Sequence, residues 1–463
     1  MGKSGKKSEK TLDSAGGGDI IRTRVLEKLN CYEKTREAIN MAKMFRYIKG
    51  FGLVTVSVAL IAALLVGSVV PAKAEPQKVV KVGLCAIFGG PLATIGKPCC
   101  EGMIDYTRYI NERGGINGIK IEMPWYDARG LVPQTIAAHR RLVGEGIVLE
   151  HVLESTAAEV LLPSLQRDGI PVTAVVGYTS AMTSKPQWIV ASFDAFPCAL
   201  VMTAKWIKEN LWVEARPMRI GVMFFDAAVG WGMLDAAKYV DKLGAEWVGH
   251  EIIPLMGCID TSTEWLRLAR KKPDWVFLTA VGAPAVVAVK DAARLGIQQQ
   301  GIKLCGCPNC VEECVLAVVG RSANGWYATK VTPSYFETES SPFLKTIAEK
   351  AKEYRGMKPE DLKGYYIGGW AHAMIGVEGI RLAIEKVGYE NLTGRAVRDG
   401  LFSIKDFDTG LIPPTTITEN SPFITRRVQI CEIREGEFHP ITWMEPVPSF
   451  YISPEELERA LEK

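Results

Sequence analysis

The chain has 463 residues, of which 48% are hydrophobic and 23% charged, enough apolar mass for two or three packed domains and too much for a disordered chain. The formal net charge of +3 is concentrated early, at Lys3, Lys6, Lys7, Lys10, Lys43, Arg46 and Lys49. The remainder is near neutral, which excludes the basic surface a nucleic-acid binder needs. Eleven cysteines are many for a cytosolic enzyme and few for a disulfide scaffold.

From Phe51 to Val70 the chain carries no charge, and Pro71-Ala72-Lys73-Ala74 follows. A positive flank, an apolar run and small residues three and one before Glu75 spell a secretory signal peptide. The run is also long enough to span a bilayer, so an uncleaved anchor with membrane contact through residues 51–70 stays open. Either way the body is expected outside the cytoplasm, with residues 43–74 as its address. Residues 1–42 read as a disordered extension, or as sequence ahead of a true start at Met41 or Met44.

Beyond Glu75, strands and helices alternate. Val79–Ile87 is β-branched and reads as a buried strand. Glu101–Glu112 carries Met103, Ile104, Tyr106 and Ile110 on one helical face and ends at Gly114-Gly115. Lys120–Trp125 is a strand, Gln134–Leu142 a helix, Ile147–Leu153 a strand, Ala158–Gln166 a helix and Val172–Val176 a strand. Pro197–Asn210 reads as helix, Arg219–Phe225 as strand, Gly232–Leu243 as helix and Glu246–Ile253 as strand. Ser262–Ala269 (helix), Trp275–Val281 (strand), Ala285–Leu295 (helix) and Lys303–Cys305 (strand) complete the series. Such alternation implies parallel sheets covered by helices on both faces. The strands are too many for one sheet, so two α/β lobes are expected, with ligands beyond the carboxyl ends of the strands.

Several segments resemble the branched-chain amino-acid binding proteins of ATP-driven (ABC) importers. They are Gly90-Pro91-Leu92-Ala93-x-x-Gly96, Ile110-Asn111-Glu112-Arg113-Gly114-Gly115-Ile116-Asn117-Gly118, and the strand ending at Tyr126-Asp127. Asp168-Gly169-Ile170-Pro171-Val172, Phe225-Asp226 with Gly230-Trp231-Gly232, and Lys290-Asp291-Ala292-Ala293-Arg294-Leu295-Gly296 agree. The resemblance runs from about Val79 to about Phe450 and thins in the last third. It implies the α/β, type I periplasmic binding protein fold: two lobes, each a parallel sheet flanked by helices, joined by a hinge of three crossing segments. Lobe 1 would take residues 76–194 plus 331–408, and lobe 2 residues 195–330 plus 409–450. The implied partners are a small-molecule ligand, closed over by a hinge motion, and ABC permease subunits; a sensor of the same fold feeding a signalling partner is the alternative.

The resemblance places the ligand site at Ser155 and Thr156, where a hydroxyl and helix N-terminal amides suit a carboxylate, although a plain helix cap needs the same residues. It adds Gly177, Tyr178 and Thr179 at the next strand end, Trp231 and Gly282 in lobe 2, Asn309, and Tyr365. Two departures bear on the ligand. Val281-Gly282 stands where amino-acid binders commonly offer a tyrosine, and Pro308-Asn309 stands where they offer an acid for the ammonium group. A carboxylic acid or amide therefore competes with a branched-chain amino acid as the ligand. The cysteine pair of relatives would fall at Gly130 and Glu154, so that disulfide is absent.

Cys305, Cys307, Cys310 and Cys314 form a tight cluster. Outside the cytoplasm, disulfides are the first expectation, structural free thiols the second, and a metal site, which the spacing matches poorly, the last. No cofactor is expected. His139, His151, His250, His372 and His439 lie in no recognisable catalytic motif, and no phosphate-binding loop is present, so a binding protein is expected rather than an enzyme.

Overall fold

The computed structural model describes residues 35–41, 43, 77–193, 196–308, 310–334, 337, 341, 343–444, 449 and 451–462. The chain divides into two compact units, residues 1–76 and 77–463. In the first, the described residues 35–41 and 43 are helical. The expected signal or anchor at 43–74, with the membrane contact at 51–70, lies almost wholly outside the described residues.

The second unit contains two sheets. In the first, β1 (Val79–Ala86) lies one strand in from the edge. Helix α1 (Ala93–Glu112) leads to β2 (Lys120–Glu122) and β3 (Trp125–Asp127), which both pair with β1. The single strand expected over 120–125 is split at Met123-Pro124, where proline supplies no amide for the ladder. Helix α2 (Val132–Gly144) then returns the chain to the other flank of β1, where β4 (Leu149–Val152) pairs with it. Helix α3 (Ser155–Asp168), β5 (Val172–Val175) and β6 (Ile189–Phe193) extend that side, all in parallel.

After helix α4 (Phe196–Asn210) the second sheet begins at β7 (Arg219–Phe225), with the short helices α5 (Ala228–Trp231) and α6 (Ala237–Lys242) following it. The continuous helix expected over 232–243 is instead a 3-10 turn at Gly232–Ala236 followed by α6. Strand β8 (Glu246–Ile253) pairs on one side of β7; after helix α7 (Ser262–Arg270), β9 (Trp275–Thr279) pairs on the other. Helix α8 (Gly282–Arg294), β10 (Lys303–Gly306), helix α9 (Glu313–Val319) and β11 (Tyr327–Lys330) follow.

The chain then returns to the first lobe through α10 (Phe343–Arg355), α11 (Gly364–Val387), α12 (Gly394–Leu401) and β12 (Phe423–Thr425). Strand β12 pairs with β6 in the first sheet. Lobe 2 therefore does not resume at 409 as expected; it resumes with β13 (Gln429–Arg434) and β14 (Glu437–Trp443), which close its sheet with antiparallel pairs. Helix α13 (Pro454–Glu462) ends the described chain. Helices α1 and α11 approach so closely that a Cβ at Gly102 would lie 2.2 Å from the Tyr366 carbonyl oxygen and one at Gly369 2.1 Å from that of Cys99. Only glycine permits this contact.

A buried charge cluster sits where the second and third crossings leave and re-enter lobe 2. Lys330 ends β11 and is fully buried. Its ammonium lies 3.1 Å from Glu313 Oε1 and 3.7 Å from Glu337 Oε1. Burial alone would lower its pKa, but Glu313 and the neighbouring anionic groups outweigh that and hold it up at about 12. Glu313 also accepts the Gly364 amide at 3.1 Å, so a lobe-2 carboxylate caps the N-terminus of lobe-1 helix α11. Burial and the neighbouring charge of Glu313 push the Glu312 pKa well above the carboxylate range, while Lys330 holds that of Glu313 down. Glu337 accepts from the Gln429 side chain at 2.7 Å, which ties in the start of β13.

The described cysteines are all free thiols, which overturns the disulfide expectation. Cys305, Cys307 and Cys310 are buried and Cys314 is partly so. Burial raises each thiol, Cys307 and Cys314 to about 12 and the other two well above the usual value. Among the described residues no group of three or more His, Cys, Asp or Glu is placed to hold a metal ion.

Two outcomes follow from these cores. Lys330→Met should cost about 3–5 kcal/mol in urea melts, because it leaves Glu313 as an unpaired buried anion; adding Glu313→Leu should recover part of the loss. In thiol titration without reductant, the ten described cysteines should stay largely unreactive in the folded chain and all react on unfolding, with Cys314 the first to respond. A shortfall that only reductant restores would reveal disulfides.

Candidate functional site

The strand order fixes where a ligand can sit. In lobe 1, β1 is followed on one side by β2 and β3 and on the other by β4, so the order reverses between β1 and β4. In lobe 2, β8 lies on one side of β7 and β9 on the other, so the reversal falls between β7 and β9. Helices after the two strands of such a pair go to opposite faces, leaving a crevice at their carboxyl ends.

One cavity, of about 50 Å³, joins the two crevices. Lobe 1 contributes Ile87 after β1, Leu153, Glu154 and Ser155 after β4, and Val176 after β5, with Leu92 and Ile95 at the start of α1. Lobe 2 contributes Phe225 at the end of β7, Val229 on α5, Leu255 after β8 and Val281 after β9. Phe196, where the chain first crosses, completes the wall. The space is sufficient for a few waters or a small part of a solute, so the lobes stand close together. Ten of the twelve lining side chains are apolar, and Glu154 and Ser155 are the two polar ones.

The polar groups here are largely occupied. Ser155 opens α3 and is buried; its hydroxyl donates to the carbonyls of Val176 and Gly177. Glu154 is the cap of α3: its carboxylate accepts the Thr156 amide at 3.0 Å and the Ala157 amide at 2.5 Å. Burial raises the Glu154 pKa against the pull of those two amides, and nearby Glu159 adds to the rise.

Of the expected ligand residues, Ser155 lines this cavity. Thr156 contributes its amide to Glu154 rather than a hydroxyl to the cavity. Gly177 lies beside Val176 with φ +81°, and a Cβ there would stand 2.8 Å from the Phe196 ring, so the turn under the cavity requires glycine. Tyr178 departs from expectation. Its ring is buried in the lobe-1 core edge-on to Phe423, and its hydroxyl donates to the Met182 carbonyl at 2.6 Å. Thr179 donates to Glu159. Trp231 is about half exposed, donates to Asp226 at 2.7 Å and packs edge-on against Phe224, away from the cavity lining. Gly282 opens α8 across from Thr94 of lobe 1. Asn309 lies outside the described residues.

Tyr365 lines a second cavity of about 30 Å³ at the hinge, with Val331, Thr332, Ile424 and Thr425 from the crossings. Leu153 and Val176 border both cavities. Ser192 and His372 also face the second cavity, 2.9 Å apart. This pair lacks the parts of a nucleophile and base. Burial lowers the His372 pKa to about 3, and its Nδ1 has no hydrogen-bond partner to orient it. Elsewhere in lobe 1, His139 is spent between Glu150 (2.5 Å) and Asp168 (3.2 Å), and His151 bonds to Thr173 at 2.6 Å.

Every lining residue except Ser155 was missed from sequence: Ile87, Leu92, Ile95, Leu153, Glu154, Val176, Phe196, Phe225, Val229, Leu255 and Val281. Ile87, Phe225 and Leu255 sit at strand ends, so strand order combined with the strand-end rule would have selected them.

Comparison with known proteins agrees with this geometry. The profile of the family described as "Periplasmic binding protein" matches residues 79–437. Leu/Ile/Val-binding protein homolog 6 of Brucella melitensis is 24% identical over 381 residues, covering 79% of this chain and 90% of the relative. A branched chain amino acid ABC transporter structure from Thermus thermophilus with bound valine superposes with a TM-score of 0.71 at 20% identity, over 82% of this chain and 99% of that one. A fatty acid ABC transporter substrate-binding protein from Thermomonospora curvata gives 0.69 at 19% identity, over 80% and 95%. With two lobes whose switch points share one cavity, and a profile match spanning both, the chain belongs to the periplasmic binding protein family.

Proposed function

We propose that this protein is the extracytoplasmic substrate-binding component of an ABC importer, which captures a small, mainly apolar solute between its lobes and delivers it to permease subunits. The observation that carries the reading is the cavity itself, built from the strand ends of both lobes and almost wholly apolar. A solute touching both walls favours the closed form by its differential affinity, and the closed form is what a permease would recognise. Valine in one structural neighbour and a fatty acid transporter assignment in another bracket the solute class by size and apolar character. Delivery outside the cytoplasm rests on the signal-like segment at 43–74. Binding rather than catalysis is supported by the family to which the chain belongs.

The ligand contacts proposed here are the apolar strand-end residues together with Ser155, Gly177 and Gly282. Trp231, Thr179 and Tyr178 have roles within their own lobes, and Tyr365 serves the hinge cavity. A thermal-shift screen of the purified chain against branched-chain amino acids, their amides, and aliphatic and aromatic acids tests the assignment. Ligand at one hundred times its Kd stabilises a folded state by about 2.7 kcal/mol, which a melt reads directly. Leu255→Asp, a partly buried wall residue, should abolish the shift and leave the unliganded melt nearly unchanged. A shift that persists in this variant would place the ligand elsewhere.

A further inference from the structure

The start of α3 is the one place in the cavity where helix amides and a hydroxyl converge, the arrangement that suits a solute carboxylate. In this chain that place is already filled from within. Glu154 bends over the helix end, with Oε1 on the Thr156 amide and Oε2 on the Ala157 amide. The Ala158 amide is taken by the Glu154 carbonyl at 3.1 Å, and the Ser155 hydroxyl by the carbonyls of Val176 and Gly177. Glu159, bonded to Thr179 one turn further along, adds a second carboxylate to the same end of the helix. An incoming carboxylate would meet the carboxylates of Glu154 and Glu159 and find the Thr156, Ala157 and Ala158 amides and the Ser155 hydroxyl hydrogen already taken.

We infer that Glu154 sets the specificity of the cleft against carboxylates, and that the solute is an apolar-bodied amine or amide whose N–H groups donate to Glu154. This rests on the binding-protein reading above. The Glu154 carboxylate accepts the Thr156 and Ala157 amides and the Thr156 side chain, which leaves acceptor capacity for one further donor, and the only other polar side chain in the lining is the neutral Ser155 hydroxyl. A cationic amine would gain a charge-assisted bond there, and a neutral amide an ordinary one. The rest of the solute, whatever its shape, lies against Ile87, Ile95, Leu153, Phe225, Val229 and Val281. A free amino acid fits poorly, because its carboxylate and ammonium lie side by side and only the ammonium has a partner.

The test uses matched acid, amide and amine on isopentyl, cyclohexylmethyl and benzyl bodies, titrated calorimetrically into the full chain and two variants. The wild type should bind amines or amides at least about tenfold more tightly than the acid of the same body. Glu154→Ser keeps a helix cap but holds one amide in place of two and removes the carboxylate, and should reverse that order. Glu154→Gln keeps the cap and the volume without the charge; it should weaken amines about tenfold while sparing amides, and it decides the matter should Glu154→Ser fail to fold. Acids binding the wild type as tightly as the amides, or a preference unchanged in both variants, would overturn the role of Glu154 and leave the binding reading intact. No binding of any compound, here or in the broader solute screen, would overturn the binding reading itself.

Discussion

The ion pair of Lys330 is the constraint on which the two-lobed arrangement depends. An ammonium removed from water is tolerated only where carboxylates meet it at close range, and here they come from separate parts of the chain: Glu313 from α9 and Glu337 from the segment beyond β11. Glu313 then spends its second oxygen on the first amide of α11, in the other lobe. Gln429 joins through Glu337 at the point where the chain re-enters lobe 2. Two of the three crossings are thus pinned to one buried cluster, in which burial and the charge of Glu313 raise the pKa of Glu312 well above the carboxylate range.

With the crossings fixed, the remaining freedom is the approach of the lobes. Both crevices arise from a reversal of strand order, and nothing in their chemistry needs more than one well-placed residue per strand end. The fold supplies positions and the sequence supplies their character. In this chain that character is aliphatic and aromatic at Ile87, Leu153, Phe225 and Val281, so burial of apolar surface dominates what the cleft can offer a solute. Direction must then come from the polar remainder, and Ser155 has already committed its hydroxyl to the turn at Gly177.

Much of the architecture was legible because β-branched runs in parallel sheets are buried on both faces. Arg219–Phe225, buried from Ile220 onward, forms a strand with the bounds its patterning suggests, as does the partly buried edge strand Glu246–Ile253. Short or interrupted elements were not legible. Phe423–Thr425 is three residues long, and its place beside β6 depends on where the chain can reach, not on its pattern. The helical pattern after Gly230-Trp231-Gly232 was real but could not show that it would break into a 3-10 turn and a short helix. The cysteines were judged by compartment, whereas their packing decides their state: they fill the core as small apolar groups.

The site shows a sharper limit. A motif fixes the path of the backbone, and a backbone path does not say which way a side chain turns. Tyr178 follows a strand end as the resemblance implies, yet its ring completes the core of its own lobe against Phe423. Ser155 keeps both its identity and its place at the head of α3, but its hydroxyl is consumed by neighbouring carbonyls. The deciding residue is the one just before it. A glutamate can reach back over its own helix end and take the amides that a shorter side chain would leave open, so one added carboxylate alters what the same fold can hold. The scaffold of a site and its chemistry are therefore set by different residues, and in this chain Glu154 is where the chemistry is set.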